Sequence, residues 1–451
     1  MTRIGTAGWC VLAALGLLAG ACSSDDGGAS SPDDAGSTAT AAAEEEIDYE
    51  SIGLWDDGPC DESKPPLVVG TSTVFESPVI SLGDLAVALD AAAAAFNERG
   101  GANGSCIEVH TCDDGADADR SVECVRELDG KGIVATINDT TTAGNAEVAA
   151  ALTAAGIPRV ATNVSPADWA AENAFPLDAS STGATLLMPK ALLEQDIDAI
   201  GVIRADLAQT AALQGLLEDI YSADGATFPM DAAVPSGTTD FSQFILKADG
   251  AGAEGVMLAV GEQEAVQIVN TAGQLDSSLL MAATLGSFPA EAVADFGEFA
   301  EQMVFVNSFP PATVDLPVYR AVRADLAASG EDALQPSQLK VTSVRSWIGL
   351  YALLRMIRDA GMTEFSRDGV TAMLEQATDV PMLDMFGDDS WTPSATHAGA
   401  FERAGINHWS IFRWDPDAAN PTGEDGNFVE AGSMNWDETM CGTPFGAPEP
   451  C

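Results

Sequence analysis

The side chains with the most chemistry to offer stand at the ends of apolar runs. Arg204 closes the run AIGVIR in a chain of formal net charge −50. A guanidinium there can take a carboxylate or another strongly polar group through its bidentate fork. Its structural alternative is an ion pair with Asp206 or another acid. Phe75 and Glu76 follow the run LVVGTST, which ends at Thr73, and offer a stacking face and an acceptor; Phe75 serves equally well as packing. Glu262 opens a helical run after VMLAVG, where an acid also stabilises the helix dipole without any ligand. No nucleophile, base and orienter stand together in the sequence, so the chemistry in view is binding, not covalent catalysis.

Other patterns fail on context. Gly250, Gly252 and Gly255 spell GxGxxG, but they follow a helix and precede a strand, the reverse of a dinucleotide loop. Ser337 to Lys340 reads SxxK without the companion SDN and KTG motifs of serine β-lactamases. His110, His397 and His408 are scattered, and no His-Glu-x-x-His occurs. The acids Asp113, Asp114, Asp117 and Asp119, and Asp415, Asp417 and Asp425, lack EF-hand spacing and read as a helix cap and a hairpin loop. Neither a metal nor a cofactor is expected.

Of eight cysteines, Cys10 and Cys22 lie in or at the end of an N-terminal apolar run. The other six, Cys60, Cys106, Cys112, Cys124, Cys441 and Cys451, show no Cys-x-x-Cys zinc pattern and read as disulfides. Sequence alone cannot choose among the fifteen pairings of six cysteines. Local geometry favours Cys112 with Cys124, from a strand end to the next helix, and Cys441 with Cys451 in a Pro- and Gly-rich loop, which leaves Cys60 with Cys106.

From Pro66 onward, continuous apolar runs alternate with helical ones. LVVGTST, IEVHTC, GIVATIND and PRVATNV form one series; AIGVIRAD, AAVPSG, VMLAVG and LLMAATLG form a second. Such runs belong to parallel sheets covered by helices on both faces. Two series imply two doubly wound α/β lobes. Ligands in this architecture sit beyond the carboxyl ends of the strands, where the strand order reverses. The loops after Thr73, Ile137, Thr162, Ile203, Val260 and Ala283 are therefore the places to look.

Upstream, residues 1–21 pair Arg3 with an apolar core and a small-residue exit, the pattern of a secretory signal. Ala19, Gly20, Ala21 and Cys22 resemble a bacterial lipobox, which makes Cys22 the expected site of lipidation and the mature N-terminus; cleavage after Ala21 by an ordinary signal peptidase is the alternative. Residues 22–64 read as lipid attachment and an acidic, disordered tether, since residues 23–63 hold thirteen acids and no base. The acidic balance argues against nucleic acid and against direct adhesion to anionic lipid.

Taken in order, VVGTSTVFESPVISLGDLAVALDAAAAAFNERGGANG, the Asp113–Asp114 pair, TTTAG, AGIPRVATNVSP and TTDFSQFILKADGAGAEGVML resemble a type I periplasmic binding protein. The closest likeness is to the branched-chain amino-acid-binding lipoproteins of ABC importers. The resemblance covers roughly residues 66–430. It implies two α/β lobes joined by three crossings, near Ala179, Asn307 and Trp391. Lobe 1 then comprises 65–179 with 308–391, lobe 2 comprises 180–307 with 392–436, and 437–451 is a C-terminal tail with a disulfide loop. It further implies that Thr140, Thr141 and Thr142 offer hydroxyls and backbone amides to a ligand carboxylate at a helix N-terminus, unless one merely caps that helix. Asn163 and Val164 fall where a carbonyl and a Thr are usual. Thr284 falls where an acid often holds an ammonium, and the loop from Asp206 to Gln209 lacks aromatic walls. These departures point away from an α-amino acid.

The expected protein is an extracytoplasmic, lipid-anchored solute-binding protein of the bacterial cell membrane. It would capture a small polar solute by hinge closure and pass it to an ABC permease, touching the membrane only through its anchor. A sensor of the same fold, and less favoured, an extracellular hydrolase, are the alternatives.

Overall fold

The computed structural model describes residues 47–451 apart from 78–80, 163–167, 169–170, 208–209, 329–333, 335–338, 389, 401, 404 and 424. The first apolar series forms strands β1 (Leu67–Thr73), β2 (Ile107–Asp113), β3 (Ala135–Ile137), β4 (Arg159–Val160) and β5 (Ala174–Phe175). They make one parallel sheet in the order β2-β1-β3-β4-β5. The second sheet has seven strands, ordered β13-β12-β10-β9-β8-β6-β7. Its parallel part is β6 (Ala199–Ala205), β7 (Thr227–Val234), β8 (Gly255–Ala259), β9 (Leu280–Thr284) and β10 (Met303–Asn307); after a short β11 (Met385–Asp388), β12 (His408–Asp415) and β13 (Asn427–Asn435) add an antiparallel edge. The hairpin between Asp415 and Asn427 is the loop read from the acids there.

Helices cover both faces, as the unbroken apolar strands require. In the first lobe α1 (Gly83–Glu98), α9 (Pro317–Ala327), α10 (Val341–Asp359) and α11 (Arg367–Gln376) pack together, while α2 (Ala118–Gly130) and α3 (Asn145–Ala154) form a separate pair. In the second, α4 (Ser180–Leu193) and α5 (Leu213–Tyr221) lie on the face carrying Val202, Met257, Ala282 and Val304. The helices α6 (Ser242–Ala251) and α7 (Glu262–Gln274) lie on the other, with Ile203, Leu258, Ala283 and Phe305. That one-residue alternation is the strand period made visible. The short helices α8 (Ala290–Ala294) and α12 (Trp436–Thr439) complete the set.

The chain passes between sheets at 176–179, returns after Asn307 and passes again between Trp391 and His408. These passages are stitched together. Asp178 accepts from Ser180 N (2.7 Å) and Arg345 Nη2 (2.8 Å), and the Ser308 hydroxyl donates to the same carboxylate. Trp391 Nε1 donates to Pro176 O (3.0 Å) and Ile406 N to Leu177 O (2.6 Å). Gly405 sits at φ +72°, and a Cβ there would overlap the Leu177 carbonyl, so only glycine lets the third passage run against the first.

One expected boundary moves. The tether does not extend to residue 64, because residues 47–64 form a strap on the first lobe: Leu54 and Trp55 are buried, Trp55 stacks on Phe96 and Tyr351, and the Arg99 guanidinium lies 4.5 Å from the Tyr49 ring centroid. The C-terminal tail, residues 437–451, packs on the second lobe, with Met440 and Phe445 buried in its core. Disulfides join Cys60–Cys106, Cys112–Cys124 and Cys441–Cys451. Cys22 lies outside the described residues, and no helix among them is long and apolar enough to cross a membrane.

Candidate functional site

The strand orders locate two switch points, between β1 and β3 in the first sheet and between β6 and β8 in the second. At the first, the loops after β1, β2 and β3 are tied into one surface. Thr140 N donates to Ser72 O (3.0 Å), Asp114 N to Thr73 O (3.1 Å) and Phe75 N to Asp113 Oδ1 (3.0 Å). Thr71 and Thr73 are fully buried, and their hydroxyls have no partner among the described residues. The hydroxyls of Thr141 and Thr142 are also shielded and have no partner among the described residues. Neither caps the following helix: its N-cap is Gly144, at φ 70°, and Thr141 gives only its carbonyl, to Asn145 Nδ2. Buried hydroxyls without partners cost free energy until something bonds them.

A buried ion cluster holds this surface in place. Arg159 Nε donates to Asp139 Oδ2 (2.8 Å), Nη1 to Asp168 and Nη2 to Thr162 Oγ1 (3.0 Å); Thr136 Oγ1 closes the ring onto Asp139 Oδ1 (2.9 Å). Burial opposes the charge on Arg159, but Asp139 and Asp168 outweigh it, so the guanidinium holds its proton more tightly than usual. Asp139 directly precedes the threonines, so the cluster fixes the loop that presents them. Asn138, at φ 48°, donates from Nδ2 to Thr342 O (3.0 Å) and to Ser346 Oγ (2.9 Å), tying the same loop to α10. Burial also raises the Asp114 carboxyl.

At the second switch point the candidate charges are occupied. Arg204 forms a bidentate pair with Asp231 of β7, Nε and Nη2 each donating at 2.8 Å, and this pairing raises its affinity for its proton. Asp206 is exposed, and its backbone N–H donates to Val234 O. Glu262 meets Lys340 Nζ at 2.7 Å. Thr284 Oγ1 accepts from Gly286 N (3.4 Å), capping a short turn. In the first lobe Phe75 is half-buried and Glu76 exposed. Asn163 and Val164 lie outside the described residues. Thus Thr73 and Thr140–Thr142 are brought together, while Arg204 and Glu262 are held by partners.

The sequence pattern does not reveal those partners. The apolar run AAVPSG puts the start of its strand at Ala232 and leaves Asp231 outside, whereas β7 starts at Thr227. Lys340 sits next to the apolar start of α10, where a lone cation gives no periodic signal. A cavity of about 490 Å³ lies between the strap at Ser51–Gly53, Pro317 and the segment Asp379–Ser390; none of the strand-end residues lines it.

Residues 66–419 match the family described as periplasmic binding protein. The chain belongs to that family. No curated protein matches the sequence. Among solved structures, this periplasmic binding protein is similar to the solute-binding protein of an ABC transporter from R. palustris in complex with 4-hydroxybenzoate, with TM-score 0.67, 15% identity, and coverage of 82% of this chain and 97% of that one. The leucine-, isoleucine-, valine-, threonine- and alanine-binding protein from Brucella ovis, in its closed conformation, gives 0.64 at 14% identity, covering 86% and 98%. A fatty acid ABC transporter substrate-binding protein from Thermomonospora curvata gives 0.64 at 16% identity, covering 84% and 94%. At such identities the likeness is one of fold.

Proposed function

We propose that this protein is the solute-binding component of an ABC importer, tied to the membrane through Cys22, and that its solute is a small carboxylate without a free ammonium. The observation that carries the reading is the set of unpartnered hydroxyls at the β1–β3 switch point, on Thr73, Thr141 and Thr142. Hydroxyls there can donate to a carboxylate, and the start of α3 adds backbone N–H groups and a favourable dipole. The acids expected for an ammonium are not free: Thr284 offers only a hydroxyl and Glu262 is already paired, while the buried Asp114 carboxyl, which has one unpartnered oxygen among the described residues, is raised by burial, which disfavours its charged form. An ammonium left unpaired in a closed cleft is expensive. The solved relatives bound to 4-hydroxybenzoate or described as transporting fatty acids are carboxylate binders of this fold, which supports the class without naming the solute. Hinge closure would bring the second lobe onto a solute held by the first, and its differential affinity would shift the two populations.

The test is native mass spectrometry of protein purified without added ligand, followed by calorimetry with the released compound. A carboxylate lacking an amine is expected. An α-amino acid released in stoichiometric amount would overturn the class.

A further inference from the structure

The first residues of α10 bring both lobes and the hinge to a single short segment. On the first-lobe side, Thr342 Oγ1 and Ser343 Oγ donate to Asp84 Oδ2 of α1 at 2.9 and 2.6 Å, and Asn138 at the end of β3 donates to Thr342 O. At the hinge, Arg345 meets Asp178. Toward the second lobe, Leu339 and Val341 line the same small gap as Leu285 and Phe288 beyond β9. Between Leu339 and Val341, Lys340 reaches Glu262 Oε2 at 2.7 Å, the first residue of α7 and the first past the β8 turn.

We propose that Lys340 and Glu262 form a latch that holds the two lobes together in the ligand-free protein, making both of them positioning residues for capture. The backbone beside Lys340 is pinned to the first lobe by the bonds to Asp84 and Asn138. The ion pair therefore pulls on the second lobe and not on a loose loop. Glu262 is an effective anchor, because a carboxylate on the first residue of a helix is stabilised by the dipole. With side chains 18% and 38% exposed, the pair is wet enough to break and reform, which suits a latch better than a buried bridge. Its effect on binding is through population: apparent affinity scales with the fraction of molecules already in the binding-competent arrangement. The inference does not depend on which solute is bound.

The experiment uses the full chain without ligand. Spin labels replace exposed Lys131 on the first lobe and Asp249 on the second, and electron–electron resonance gives the interlobe distance distribution in wild type, Lys340→Met, Glu262→Gln and the double variant. The expected result is a longer or broader distribution in each single variant, no further change in the double, and the same shift in wild type alone at about 1 M salt, where the Debye length falls to roughly 3 Å. Where a solute is in hand, its affinity should drop about two- to fivefold in each variant. Identical distributions in all four proteins, with melting confirming that each is folded, would overturn the latch. A carboxylate that fails to bind would sink the proposed solute class and leave this result standing.

Discussion

The carboxylate of Asp178 takes the guanidinium of Arg345 at 2.8 Å, with the Ser308 hydroxyl on the same oxygen, at the point where the first two interlobe passages come together. Both side chains are nearly or fully buried. Removing the charge of one strands the other, which typically costs about 3–5 kcal/mol. Asp178→Asn should therefore destabilise the protein by roughly that amount in denaturant unfolding, whereas Ser308→Ala, which removes one hydrogen bond, should cost only about 1 kcal/mol. Equal, small effects would mean that the joint is held by its apolar packing instead.

Replacing Thr141 and Thr142 together by Ala should weaken solute binding by about 1–3 kcal/mol, roughly ten- to a hundredfold, because two hydroxyls with no partner among the described residues are lost. Melting temperature should hardly move, since those hydroxyls support nothing else. Calorimetry beside thermal melting reads both; unchanged affinity would move the site away from the β1–β3 crevice.

Charge discrimination should be visible in a simple panel. Benzoate, 4-hydroxybenzoate, a medium-chain fatty acid and the keto acid of leucine are expected to raise the melting temperature more than leucine, isoleucine or valine. A ligand at free concentration c stabilises by RT ln(1 + c/Kd), so at equal concentration the tighter binder raises the melting temperature more. Stronger stabilisation by leucine than by its keto acid would show that an acid reaches the ammonium after all.

Cys22→Ala should free the protein from the membrane fraction while leaving solute affinity as it was. Cell fractionation and intact mass of the mature chain read the two halves of that expectation, and an anchored variant, or a wild type with no acyl mass, would refute lipidation at Cys22.

Strands with long apolar runs, β1, β6, β8 and β9, were legible because burial on both faces leaves a continuous hydrophobic signature. The run PRVATNV contains the two-residue β4, whereas the two-residue β5 stands in no apolar run and is not separable from loop by pattern, and the β12–β13 hairpin is irregular, its register shifting between Ile411 and Phe412. Topology places the loop after Ile137 at a switch point, where this architecture puts its ligands, whereas the role of Thr140, Thr141 and Thr142 there is what the family resemblance implies. Arg204 and Glu262 could not be ruled in or out, because whether a charge is free depends on partners from distant segments, 27 residues away in Asp231 and 78 in Lys340. The strap did leave a signal: once Cys60 is paired with Cys106, the chain before Pro66 cannot be wholly a tether.

The three disulfides divide between the halves of the molecule, Cys60–Cys106 and Cys112–Cys124 within the first lobe and Cys441–Cys451 within the second. Oxidation thus hardens each half separately and leaves the joint between them free of these covalent links. The strap also sets where mechanical load enters. A pull on the chain ahead of Ile47 is taken up on the outer helices of the first lobe through Tyr49 and Trp55, and then by the sulfur bridge to Cys106 at the root of β2. The second lobe lies off that line of force, so tension on the strap loads the first lobe alone.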